Sequence, residues 1–291
     1  MYTAPFTYHA PTTLRAAVRL LRAHPGEARP LAGGMSLVPA MRLRLAQPEY
    51  LVDLGHIAEL AGIEAVDGGI AIGAMTAHRD VERSRLLARR LPLLAHVAGT
   101  VGDRQVRNRG TLGGSLAHAD PAADLPAAVL ALEGVLHTAG AGRARRIPAH
   151  RFFLDPYTTA LGESELLTRV VFPAQPRRTG WGYEKLENHA SRFAVVGVAA
   201  LVNVGRGGEC TRVRIAVTGA GPVAYRARAA ERALAGRPLT AQAIARAARA
   251  AGRGVEFLAD AHGSAAYREH LVAVLSERAL RAAIARTGVS L

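Results

Sequence analysis

The residues with the clearest capacity for chemistry lie in one stretch, Arg109-Gly-Thr-Leu-Gly-Gly-Ser-Leu-Ala-His-Ala-Asp-Pro-Ala-Ala-Asp124. It sets a glycine pair, Gly113 and Gly114, between two hydroxyls, Thr111 and Ser115, and carries carboxylates at Asp120 and Asp124. A backbone that must approach a phosphate needs glycine, because a Cβ would hold the ligand off. Successive amides in such a turn form an anion-binding concavity, to which hydroxyls add donors. Asp124 precedes the apolar run from Leu125 to Leu132, where it can cap a helix or accept from a sugar hydroxyl. A phosphate turn that ends in a sugar-binding acid is what a nucleotide cofactor requires.

A second glycine cluster, Leu31-Ala-Gly-Gly-Met-Ser36, follows a short extended stretch. It leads into a segment from Leu37 to Leu45 that can be helical, with Pro39 in its first turn. Two strand–glycine–helix junctions could grip one pyrophosphate from both sides; a pair of ordinary tight turns is the plainer alternative. The common nucleotide signatures are missing. No G-x-x-x-x-G-K-S/T occurs, which excludes a P-loop. Gly219-Ala-Gly-Pro-Val-Ala224 is the nearest match to a Rossmann fingerprint, but Pro222 removes an amide and no acid follows at the ribose spacing. It reads as a turn. His118 and Asp120 invite a catalytic-base reading, yet no Ser-His-Asp or metal-ligand spacing accompanies them.

These junctions need a sizeable scaffold. At 291 residues, with 49% hydrophobic and 5% aromatic content, the chain supports one large or two to three small domains. No apolar run reaches the length of a membrane span, and the stretch from Met1 to Pro11 has no secretory-signal pattern. Cys210 is the only cysteine, which excludes internal disulfides and an iron–sulfur cluster held by this chain alone. A reducing cytoplasm fits, and Cys210, beside a glycine-rich hairpin turn, is expected at the surface or a sheet edge. The formal net charge of +14 comes almost wholly from arginine, since Lys185 is the only lysine. The arginines are scattered along helices with no nucleic-acid-binding motif. The reading is a solvated basic face, or one turned toward an acidic partner subunit.

Leu14, Ala17, Val18 and Leu21 predict an opening amphipathic helix behind Thr12 and Thr13. Strands are predicted at Pro30–Ala32, Tyr50–Leu54, Gly69–Gly73, Val135–Thr138 and Leu166–Phe172, with helices over Asp80–Leu87 and Leu91–Gly99. Pro173–Gly180 reads as a linker. Beyond it, Gly182–Leu186, Ala194–Val204 and Thr211–Thr218 predict a three-stranded antiparallel unit, turned at Gly205–Gly208. Helices are expected over Arg226–Leu234, Ala241–Ala251 and Ser264 to about Ile284.

Leu31-Ala-Gly-Gly-Met-Ser-Leu37, Tyr50-Leu-Val-Asp-Leu54, Ile72-Gly-Ala-Met-Thr76 and the stretch from Gly102 to Asp124 resemble the FAD-binding medium subunit of molybdenum hydroxylases. Carbon monoxide dehydrogenase and xanthine dehydrogenase are its best-known members. Tyr183-Glu-Lys185, Ala194–Ala199 and Ser264–Leu280 are similar to the family's C-terminal flavoprotein domain, so the likeness runs nearly end to end. It implies an α+β chain: a two-subdomain FAD-binding fold of the vanillyl-alcohol-oxidase (PCMH) type over residues 1–174, divided near 56, then an α+β domain over 179–286. The resemblance implies pyrophosphate contacts from Ala32, Gly33, Gly34, Met35 and Ser36 on one side and from Thr111, Gly113, Gly114 and Ser115 on the other. Asp124 would bind a ribityl or ribose hydroxyl, Leu161 would pack near the flavin or adenine, and Lys185 would place its charge by the cofactor.

Two departures stand out. Met35 replaces a residue that is usually polar, and Ser191-Arg192-Phe193 replaces a common Gly-Asp, with Phe193 a candidate cover for the flavin ring. By resemblance the complex also holds a large molybdenum subunit, with Mo-cytosine dinucleotide or molybdopterin, and a small 2Fe–2S subunit, arranged as a dimer of heterotrimers. FAD would take electrons from the clusters and pass them to NAD+, a quinone or another acceptor. The expected location is the cytoplasm, with the inner face of the membrane as the alternative. A stand-alone flavoprotein oxidase and a non-enzymatic assembly subunit with a weakened flavin site stay open at this point.

Overall fold

A computed structural model describes residues 2–140 and 142–289. Met1 and Ala141, which fall inside the expected first domain, lie outside the described residues. Three sheets carry the architecture, with a two-stranded ribbon beside them. The first sheet is parallel, in the order Thr7–His9, Tyr50–Asp53, Ala28–Leu31. Its crossover helix, Leu14–Ala23, starts where Thr13 Oγ1 accepts from the Ala16 amide, and Ala17, Val18 and Leu21 face the sheet.

The second sheet is antiparallel: Ile63–Val66, Gly69–Gly73, Leu166–Pro173, Val135–Ala139 and Arg146–Pro148, in spatial order. Between Gly73 and Val135 the chain forms six helices, from His78–Arg83 to Asp124–Ala131. The predicted Asp80–Leu87 helix is split, because Ser84 ends one helix and caps the next, accepting from the Leu87 amide. Asp124–Ala131 is buried on every side. It lies between the helix Pro92–Thr100 and the third sheet.

That third sheet runs Thr179–Glu187, Ala194–Val204, Cys210–Thr218, Tyr225–Arg226, all antiparallel. It has four strands where three are predicted. Arg226 pairs with Ala216, so the following helix begins at Arg228 rather than at Arg226. Ala194–Val204 is an almost unbroken apolar run because both faces of the sheet are covered. One face meets the Asp124–Ala131 helix, and the other carries the helices Arg228–Leu234 and Ala265–Ala285, on both of which Ala241–Arg249 packs. Cys210 is not a surface residue: it is fully buried in the second of these layers, and burial raises its thiol to about 11.

Candidate functional site

The first glycine cluster sits where strand Ala28–Leu31 leaves the parallel sheet. Gly34 has φ +73°, a left-handed conformation that reverses the chain into the short helix Leu37–Arg42. From Gly33 through Leu37, no backbone amide finds an acceptor among the described residues. Ser36 makes no capping bond, so its hydroxyl is not spent on the helix either. A row of five uncommitted amides beside a free hydroxyl can bind an anion.

The second cluster is built differently. The amides of Leu112 and Gly113 donate to Thr76 O (3.0 Å) and Ala74 O (2.8 Å), and Ser115 N bonds Thr111 O (3.0 Å). Thr111 Oγ1 caps the helix Leu112–His118 by accepting from Gly114 N at 3.1 Å. The helix N-terminus is thus largely satisfied by protein. What this loop still offers is the Thr111 amide, the Thr111 hydroxyl proton and Ser115 Oγ.

The two loops interlock. A Cβ on Gly33 would come within 2.1 Å of the Arg109 carbonyl oxygen, and one on Gly113 within 2.5 Å of Ala74 Cβ. A Cβ on Gly114 would approach Thr111 Oγ1 to 2.7 Å and Ala32 Cβ to 3.3 Å. The sequence explained these glycines by a phosphate. The structure adds a stronger demand, since bare backbone is what allows the loops to dock on each other. His78 closes the junction from below: its amide donates to Gly110 O at 2.9 Å, and its buried ring holds Nδ1 without a partner. Burial, helped by Arg107, lowers this imidazole to about 4, so it is neutral.

Asp124 does not cap its helix. Ala123 occupies the N-cap, and Asp124 is the first helical residue, almost fully buried. Its Oδ1 accepts from the Tyr183 hydroxyl at 2.5 Å and its Oδ2 from Lys185 Nζ at 3.2 Å. Burial pushes this carboxyl up to about 6, while Lys185 and Tyr183 pull it back; the tyrosine hydroxyl is raised by the same burial. Lys185 also donates to Thr100 O (3.0 Å) and Arg192 O (3.0 Å), which accounts for all its protons. Its side chain is 6% exposed. The only lysine of the chain therefore ties together the end of the Pro92–Thr100 helix, the start of the Asp124–Ala131 helix and the turn before Ala194.

That junction continues along the third sheet. Thr218 Oγ1 donates to Ala123 O (2.7 Å), Gly219 N to Pro121 O (2.8 Å) and Ala194 N to Ala122 O (3.2 Å). The segment after the second glycine cluster is thus threaded onto C-terminal strands. At the far end of the same helix, Glu133 receives Arg212, Arg214 (2.6 Å) and Arg226 (3.4 Å) from the third sheet. Thr100, Thr218 and Glu133 carry no motif in sequence. Tyr183 has one signal: it lies two residues from Lys185, on the same face of a strand.

The other expected residues lie around this frame. Leu161 is half-buried against the core beside a cleft of about 630 Å3 that Arg143, Arg145 and Glu165 also line. Met35 is 41% exposed, and Phe193 is 42% exposed at the edge of the turn Lys185 holds. Arg192 has φ +61° and pairs with Glu187 at 3.3 Å, so its charge is locally answered. His118 is exposed, 5.1 Å from the Tyr157 ring, and Asp120 Oδ1 accepts from the Ala122 amide at 2.8 Å. Neither belongs to a catalytic cluster, and no group of metal-binding side chains occurs among the described residues.

Residues 4–175 match the FAD binding domain in molybdopterin dehydrogenase, and residues 181–283 match the CO dehydrogenase flavoprotein C-terminal domain. The chain belongs to the FAD-binding medium subunits of molybdenum hydroxylases of the carbon monoxide dehydrogenase and xanthine dehydrogenase type. It is 41% identical over 281 residues to the carbon monoxide dehydrogenase medium chain of Hydrogenophaga pseudoflava, covering 97% of this chain and 98% of that one. A 6-hydroxypseudooxynicotine dehydrogenase complex subunit alpha from Paenarthrobacter nicotinovorans is 36% identical over 97% of this chain and 95% of its own length. The solved carbon monoxide dehydrogenase of Hydrogenophaga pseudoflava superposes with a TM-score of 0.96 at 43% identity, over 98% of this chain and 99% of that chain. The protein is accordingly an FAD-binding oxidoreductase subunit, in a family whose molybdenum and iron–sulfur centres reside in partner subunits; the relatives above are subunits of multi-subunit complexes. No helix among the described residues is long and apolar enough to cross a membrane.

Proposed function

We propose that this chain is the electron-transferring FAD subunit of its complex, placed between the 2Fe–2S clusters of a small partner subunit and an acceptor such as NAD+ or a quinone. The substrate is oxidised in a large molybdenum subunit, the assembly is a dimer of heterotrimers, and it works in the cytoplasm. The observation that carries the reading is the run of amides from Gly33 to Leu37 without protein acceptors, facing a loop whose glycines lock it in place. That donor set suits a pyrophosphate. When bound, FAD supplies a ring that exchanges electrons singly or in pairs.

The chain's own residues do the holding. Gly33, Gly34, Met35 and Ser36 offer backbone donors and one hydroxyl, with Ala32 at their start. Thr111 and Ser115 add hydroxyls from the opposing loop, while Gly113 and Gly114 let that loop sit close. Leu161 contributes apolar surface. Asp124 and Lys185 fix the floor against the C-terminal domain, so their charges act on the site through a pair that protein already satisfies. We place the boundary between the FAD-binding domain, with subdomains meeting near residue 56, and the C-terminal domain between residues 174 and 179.

The test is the visible spectrum of the purified chain, followed by chromatography of the acid-released cofactor. About one FAD per chain, reducible on adding the reduced 2Fe–2S subunit but not by the holoenzyme's substrate alone, is the expected result. A chain that binds no FAD even with its partner subunits would overturn the proposal.

A further inference from the structure

A second cavity, remote in sequence from both glycine clusters, opens at the seam between the five-stranded sheet and the C-terminal sheet. It encloses about 230 Å3. Its floor is made by buried Ile70, Leu91, Leu93, Leu132 and Leu201, contributed by both sides of the seam. Trp181, whose ring also carries the Arg286 guanidinium 4.0 Å from its centroid, lines it together with Arg89, Arg90 and Arg178, all three of them exposed to solvent. No acidic side chain lines it. None of the three guanidinium groups has an ion-pair or hydrogen-bond partner among the described residues, whereas arginines elsewhere pair with Glu82, Glu165, Glu133, Glu231 and Asp260. Arg178 also holds a left-handed backbone, φ +60°, fixed by Val204 N bonding its carbonyl at 3.2 Å.

Protein interiors leave few voids larger than a water molecule, and an apolar one of about 150 Å3 accepts a benzene ring. A space of about 230 Å3 therefore takes a ring with a short substituent. Guanidinium groups lining it recognise a carboxylate in a bidentate fork. Buried apolar floor and exposed cations together describe a ligand with a compact hydrophobic body and one anionic head. We propose that this seam is a binding site for a small aromatic or branched aliphatic monocarboxylate. Such a ligand touches Ile70 and Leu93 on one side and Trp181 and Leu201 on the other, so its binding stabilises the union of the two halves.

Trp181 is the only tryptophan of the chain and lines this cavity, so a ligand bound there changes the chain's tryptophan emission. The flavin-loaded full chain is titrated with phenylacetate while that emission is followed, and calorimetry gives the stoichiometry. Inorganic phosphate tests charge alone, and benzyl alcohol tests the apolar body alone. Saturable binding near one phenylacetate per chain is expected, with at least tenfold weaker response to either control. The double variant R90A/R178A, which alters exposed side chains, should retain flavin and weaken phenylacetate at least tenfold. Ala174→Phe, at the exposed rim, should block it. No saturable response at millimolar phenylacetate overturns the proposal, as does equal affinity in the arginine variant.

Discussion

Replacing Lys185 by methionine separates the ion pair at the heart of the domain junction from simple packing. The substitution keeps the length and apolar stem of the side chain but removes three hydrogen bonds, to Asp124, Thr100 O and Arg192 O. Breaking a buried pair by deleting one partner costs about 3–5 kcal/mol when the other charge stays ionised. Asp124 has an escape, because it can take up a proton. Its carboxyl stands at about 6 in the presence of the lysine, against an ordinary value of 3.8. Without the cation it rises further. A carboxyl raised in the folded state makes the fold most stable below the unfolded value; stability is lost as pH climbs from there to the folded value.

In the wild type that loss spans pH about 4 to 6 and amounts to about 3 kcal/mol, at 1.36 kcal/mol per pKa unit. In Lys185→Met the decline continues above pH 6. His78, lowered to about 4, titrates with the opposite sign, but it is present in both proteins and cancels in the difference. The expected penalty is therefore about 1–2 kcal/mol at pH 5.5, from the two orphaned carbonyls, and about 4 kcal/mol at pH 8. Urea unfolding followed by the emission of Trp181, at both pH values, measures it. An equal penalty at pH 5.5 and pH 8 would refute the reasoning, since it would mean that Asp124 never carries the charge that Lys185 answers.

Gly33→Ala should abolish FAD retention, because its Cβ meets the Arg109 carbonyl at 2.1 Å and the loops must separate; the ratio of flavin to protein absorbance reads this directly. Gly62→Ala is the control, strained only by its φ of +123° with open space around it, and should keep its flavin. His78→Gln should flatten the acid limb of stability. The native imidazole contributes stability that is whole above pH 6.5 and vanishes toward pH 4, about 3 kcal/mol in all, so the variant's unfolding free energy should change less between pH 7 and 4.5. Glu133→Gln removes the charge that gathers three arginines, at a site 31% exposed, and should cost about 1–2 kcal/mol, more at low salt than at high, in thermal unfolding.

Sequence alone determined the chemistry-bearing loops, the class of cofactor and the order of the domains. Glycine pairs followed by serine and a helix are local signals, legible from backbone sterics without any partner. The end-to-end likeness carried the family and with it the fold. The apolar run Ala194–Val204 was equally legible as a strand, but its burial on both faces was not. Which donors remain free was decided only by folding: two similar glycine turns differ because one helix start meets Ala74 and Thr76 while the other meets no acceptor. Asp124 looked like a cap and proved to be half of a buried pair, since its partners Tyr183 and Lys185 lie 59 and 61 residues away. Cys210 looked peripheral beside its hairpin turn, and the helices behind the sheet buried it. In each case the sequence fixes what a side chain can do, whereas its neighbours across the fold set its desolvation and its hydrogen-bond count, and so what it does.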